Sequence, residues 1–122
     1  MATLDLVESV KAAYAAVERN DVDTYVTYFT ADAVYKVGNF DPVHGHEGIR
    51  ALAAPLVDMF TSVTHDVKNF WQIDDVVICE MDITYNRKDG KVAIIPCVDV
   101  IRFSGDKVKE LLAYLDPTPA FT

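Results

Sequence analysis

Asp99 has the setting in this chain that most demands a chemical explanation. It lies in the longest β-forming run, Lys91-Val-Ala-Ile-Ile-Pro-Cys-Val-Asp-Val-Ile-Arg-Phe-Ser104, with Val98 and Val100 beside it and Cys97 and Ile101 two positions away on its own face. A carboxylate among such neighbours loses hydration, so it must find donors, rise in pKa or bind something. It is either a general acid, general base or oxyanion donor, or a structural carboxylate hydrogen-bonded to a core Tyr or Trp.

Other residue types suit supporting roles. His44-Gly-His46 precedes a helical pattern, with Asp41 nearby and His65 distant in sequence. That spacing is not diagnostic of a metal site, and neither a metal nor a cofactor is expected. His44 suits a base at a pocket mouth, because imidazole titrates near neutrality. The free amides at the start of the helix after His46 also suit an anionic group. Tyr14, Tyr25, Tyr28, Phe29, Tyr35, Phe40, Phe60, Trp71 and Tyr114 give an aromatic interior, of which some members must line any cavity; Tyr14 and Trp71 are the two best suited to orient a ring-shaped ligand. Met81, Ile83 and Cys97 are further expected lining residues. Cys79 and Cys97 read as buried, reduced thiols. There is no nucleophile-elbow motif and no Gly-rich phosphate loop.

The elements that position these groups follow from periodicity. Thr3 is the expected N-cap of a helix from about Leu4 to Arg19, with Val7, Val10, Tyr14 and Val17 on its apolar stripe. Asp21 caps a short helix with Val22, Tyr25, Val26 and Phe29 inward, ended by Thr30-Ala-Asp32. Ala33–Val37 reads as a strand and Gly38–Gly45 as a loop. A third helix runs from His46 or Glu47 to about Phe60, with an irregularity at Pro55. The period then becomes two, giving strands Thr64–Ile73, Val76–Asn86, Lys91–Ser104 and Lys107–Leu115, then a polar tail at Asp116-Pro-Thr-Pro119. The order α-α-β-α-β-β-β-β predicts an α+β fold, a single domain over residues 1–122 in which three helices pack against a curved antiparallel sheet and leave a cone-shaped cavity.

Hairpin register decides which acids share the face of Asp99. A five-residue loop at Asn86–Gly90 pairs Tyr85 with Lys91 and Cys79 with Cys97, placing Cys79, Met81, Ile83 and Tyr85 on that face. A four-residue loop instead brings Glu80 and Asp82 beside Asp99. The first is favoured, since three carboxylates in one apolar space repel and lose hydration.

The chain has 122 residues and a formal net charge of −8. That charge argues against nucleic acid or an anionic membrane surface as a partner. No apolar run reaches the length of a spanning helix, and the N-terminus lacks the pattern of a signal peptide, so a cytoplasmic location is expected.

Several segments together resemble the nuclear-transport-factor-2-like superfamily, in its SnoaL-like and ketosteroid-isomerase-like branch. They are Asn20-Asp-Val-Asp23, Tyr28-Phe-Thr-Ala-Asp-Ala-Val34, His44-Gly-His-Glu-Gly-Ile-Arg50, Val98-Asp-Val-Ile-Arg-Phe103 and the closing Lys107–Asp116. The resemblance implies the cone-shaped fold and a homodimer through the outer sheet face, without fixing an activity. It also implies that Asp99 matches the oxyanion-donating Asp of ketosteroid isomerases, a carboxylic acid kept protonated by its apolar site. The general base of those enzymes falls near Val37, and their first-helix Tyr near Ala13, one position from Tyr14. For limonene-type epoxide hydrolases, Asp82 matches one catalytic Asp, while Glu80 replaces the Arg and Ala113 the second Asp. Two functions stay open. One is a cofactor-free acid/base enzyme (isomerase, cyclase or dehydratase type) using Asp99 with Tyr14 or His44 on a small apolar cyclic or aromatic molecule. The other is a non-catalytic ligand-binding or dimerisation module.

Overall fold

The computed structural model describes residues 5–122, so Thr3 lies outside the described residues. The first helix, α1 (Leu6–Glu18), is capped by Asp5, whose side chain accepts from the Glu8 amide. It buries Leu6, Val10, Ala13 and Tyr14 along one stripe, the i, i+4 spacing of an amphipathic helix. Asn20, with φ 60, breaks it. Asp21 then caps α2 (Val22–Val26) by accepting from the Thr24 amide at 3.2 Å.

The chain enters β1 (Phe29–Val37) almost at once, so Thr30-Ala-Asp32, expected as a terminator, is strand. The segment expected as a loop contains a two-residue strand, β2 (Val43–His44), paired with Val34 and Tyr35. Next, α3 (Gly45–Met59) runs through Pro55 and passes directly into β3 (Phe60–Ile73), which starts four residues before the expected Thr64. Strands β4 (Val76–Arg87), β5 (Val92–Ser104) and β6 (Lys107–Tyr114) complete the sheet. The tail forms one turn of helix, α4 (Thr118–Phe121), with Ala120 fully buried. Pro119 near its start needs no amide donor there.

The six strands lie in the order β2-β1-β6-β5-β4-β3 as one curved, unclosed sheet. The α+β architecture is the expected one; besides the added β2 and α4, it differs in that β1 runs parallel to β6, and every other pair is antiparallel. The β1–β6 pairing is possible because the intervening chain supplies a long crossover.

Along β5 the alternation is complete. Ala93, Ile95, Cys97, Asp99, Ile101 and Phe103 are buried, and the residues between them face outward. Burying a side chain such as Phe103 or Ile101 stabilises the fold by about 1.5–3 kcal/mol.

The β4–β5 turn is shorter than expected. Arg87 N–H donates to the Lys91 carbonyl at 2.9 Å, leaving Lys88-Asp89-Gly90 as a three-residue loop whose Gly90 has φ +92. Tyr85 therefore pairs with Ala93 rather than Lys91, and Cys79 with Asp99 rather than Cys97. A shift of two residues preserves the faces. Cys79, Met81, Ile83 and Tyr85 share the inner side with Asp99, while Glu80 and Asp82 lie outside.

Candidate functional site

Three helices on a concave sheet cannot fill its centre, and a cavity of about 130 Å³ remains. Its polar lining comes from Tyr14 on α1, Asn20 in the turn after it, Tyr25 on α2, Tyr35 on β1, His65 on β3, Tyr85 on β4 and Asp99 on β5. None of its lining residues is Lys or Arg. Phe40, Val57 and Phe121 also line it while staying exposed, so they form an apolar rim at its mouth.

Asp99 is only 5% exposed. The Tyr14 hydroxyl donates to its Oδ2 at 2.5 Å, and the Cys97 thiol donates to Oδ1 at 3.4 Å. Burial raises the Asp99 pKa, and these two hydrogen bonds only partly oppose the rise. Burial also raises Tyr14, and the Asp99 charge adds to it, so the phenol stays a donor. The Tyr85 hydroxyl is pushed up to about 12, chiefly by burial. Tyr25 and Tyr35 place their hydroxyls 3.1 Å apart as a second, part-buried polar pair.

His65 forms the other half of the site. Its ring stacks on Tyr14 with centroids 4.5 Å apart and planes within 8°. Glu18, the last residue of α1, accepts from the His65 backbone amide at 2.6 Å and lies 3.0 Å from ring Nδ1. The ring contact is the main reason the Glu18 pKa is lowered, with the backbone hydrogen bond adding to it. An ionised Glu18 makes Nδ1 the protonated nitrogen and leaves Nε2 as the acceptor.

Of the residues singled out from sequence, Asp99, Tyr14, Tyr35, Phe40 and Ile83 line the cavity. The others do not. His44 is exposed on β2, where it occupies the N-cap position of α3 without capping through its side chain. His46 is tied by Nε2 to the Phe29 carbonyl at 3.0 Å. Phe29 packs edge-on to Tyr25, and Phe60 packs behind the wall against Tyr85 and Phe121. Met81 and Cys97 are covered inner-face core residues, with Cys97 reaching the site only through its thiol.

Trp71 and Tyr114 are on the wrong side of the sheet. A bulge between Val67 and Asn69 moves Trp71 to the outer face, opposite Ile78 and 47% exposed. In β6 it is Ala113 that faces inward opposite Asp99, so Tyr114 points out and is 60% exposed.

From sequence, His65 reads only as a distant member of a metal set. A stronger signal is present: in Val63-Thr-His-Asp-Val67 it alternates with polar residues and shares parity with two valines. No group of three or more His, Cys, Asp or Glu side chains placed to hold a metal ion occurs among the described residues.

Comparison with known proteins agrees with this fold. The family model for the SnoaL-like domain matches residues 10–111. An uncharacterized cystatin-fold protein from Novosphingobium aromaticivorans is 30% identical; the match covers 90% of this chain and 97% of that one, with a TM-score of 0.80. A nuclear-transport-factor-2-like protein of unknown function from Burkholderia pseudomallei superposes with a TM-score of 0.85 at 15% identity, covering 95% of this chain and 94% of that one. A putative SnoaL-like polyketide cyclase from Jannaschia gives 0.82 at 19% identity, covering 96% and 89%. The last two share the fold. No curated protein matches the sequence. Given the extent of the family match, the chain belongs to the SnoaL-like domain family.

Proposed function

We propose that this protein is a small-molecule pocket enzyme that performs acid/base chemistry without a cofactor, of the isomerase, cyclase or dehydratase kind, on an apolar cyclic or aromatic substrate. The observation that carries this reading is the 2.5 Å contact between the Tyr14 hydroxyl and a buried Asp99 at the wall of an apolar cavity. A protonated Asp99 donates to the phenol oxygen and frees the Tyr14 O–H to meet a substrate oxygen. Donors fixed in a dry site stabilise charge that develops on such an oxygen more strongly than water does.

The test is thermal unfolding with neutral single-ring compounds (cyclohexanone, phenol) and with benzoate as the charged control. A ligand of the folded state raises Tm with the logarithm of its excess over Kd. Neutral rings are expected to raise Tm, and benzoate to do so less, because no cation lines the cavity. Stabilisation by benzoate alone, or by none of the three, contradicts the reading. Binding without turnover of any bound ring would favour the alternative, a ligand-binding module of the same fold.

The proposal extends to a homodimer through the outer sheet face. Trp71, Ile78, Val100 and Leu112 pair in register across four strands there, with Val98 and Tyr114 in the neighbouring row. Such a contiguous apolar stripe suits a second copy of the chain. A monomeric mass in sedimentation at micromolar concentration would contradict this part.

A further inference from the structure

The acid half of the site has a counterpart on the opposite wall. Val37, another lining residue, has no proton to move, and His44 lies outside the cavity. His65 does line the cavity, with its side chain only 13% exposed. Its Nδ1 is committed to Glu18, while Nε2 has no hydrogen-bond partner among the described residues and is not sealed in protein. The backbone bond to Glu18 and the stacking on Tyr14 fix the ring in position and orientation. A rigid imidazole with one nitrogen held by a carboxylate and the other open toward bound substrate is an arrangement suited to a general base.

Cavity size limits the substrate. A dry cavity of about 150 Å³ holds one benzene, and this one is about 130 Å³. One six-membered ring fits the enclosed part, and a larger molecule must extend past Phe40, Val57 and Phe121. The absence of Lys and Arg from the lining selects against carboxylates and phosphates.

We propose that His65, oriented by Glu18, is the general base of this cavity, and that its substrates are uncharged single-ring ketones with a removable hydrogen next to the carbonyl. Resting on the assignment of Tyr14 and Asp99 as the acid, the step balances without a co-reactant. Nε2 takes the proton, the C–H electron pair becomes the carbon–carbon double bond of an enolate, and the carbonyl π pair moves onto oxygen, where the Tyr14 hydroxyl holds the charge. The imidazolium is stabilised by Glu18. Returning a solvent-derived proton to the same carbon restores the ketone and exchanges its hydrogen.

The experiment uses the full chain and follows proton-to-deuterium exchange into cyclohexanone by NMR. His65→Gln is expected to lower the exchange rate about 10²–10⁴-fold. Glu18→Gln, a change in a positioning residue, is expected to lower kcat about tenfold with little change in KM. Nitrogen-15 NMR of the unaltered protein is expected to show His65 protonated at Nδ1, and Glu18→Gln to lose that tautomer; protonation at Nε2 would overturn the inference without any variant having to fold. Rates within twofold of the unaltered protein in a folded His65→Gln variant would also overturn it. Binding of the ketone without exchange defeats the base and leaves the pocket reading standing, whereas neither binding nor exchange defeats both.

Discussion

Glu18 and Asp99 are carboxylates at the two ends of one assembly, joined through the stacked rings of His65 and Tyr14, and their surroundings push them in opposite directions. Glu18 sits at the end of α1 with 30% of its side chain open to water, and a backbone amide and an imidazole hold its charge. Asp99 sits mid-strand, buried, with a phenol and a weakly donating thiol for partners. Water and a backbone donor favour the anion; their absence favours the acid. In the proposed mechanism these two like groups take unlike tasks, Asp99 holding a proton at one wall and Glu18 orienting the imidazole that accepts one at the other.

Removing the buried acid should break this contrast most severely. Asp99→Asn and Tyr14→Phe are each expected to lower turnover of a bound ring ketone about 10²–10³-fold, the loss found on deleting one oxyanion donor, while near-ultraviolet circular dichroism reports an intact fold. Activity within a few-fold of the unaltered protein would remove Asp99 from the mechanism.

Next in size is the dependence of stability on pH. The folded pKa of Asp99 is raised, so its contribution is complete below the unfolded value of about 3.9 and is lost as pH rises through the folded value. For Glu18 the folded pKa is lowered, so its contribution is present above the unfolded value of about 4.3 and is lost as pH falls through the folded value. Urea unfolding across pH should show Asp99→Asn gaining on the unaltered protein as pH rises and Glu18→Gln converging on it as pH falls. Parallel curves for all three proteins would refute the opposed environments.

A smaller effect is expected from Glu18→Gln at neutral pH, a loss of about 1 kcal/mol, less than is usual for hydrogen bonds to a charge because water screens its open side. Smallest of all, Cys97→Ala removes one weak donor and should raise the Asp99 titration midpoint slightly, by less than Tyr14→Phe does.

Local sequence chemistry carried much of the architecture. Asp21 caps its helix, the alternation in β5 buries Asp99, and the preference for a single buried acid selected the right face of β4 even though the loop is shorter than expected. What escaped depends on contacts distant in sequence. The facing of Trp71 is set by a bulge near Lys68, which no alternation rule places in advance. The bond between Glu18 and His65 joins residues 47 apart. The pairing of β2 and the turn of α4 are too short to carry a period. The acid half of the candidate site was therefore legible, because a charge in an apolar strand is conspicuous by itself. The imidazole half was not, because its meaning comes from α1 packing over β3.

The central claim is that Asp99 holds its proton inside the cavity, and carboxyl-carbon NMR of the protein with labelled aspartate tests it most directly. An Asp99 resonance that titrates above the ordinary carboxylate range, and higher still in Tyr14→Phe, is the predicted result. A midpoint at or below about 3.9 would contradict the account.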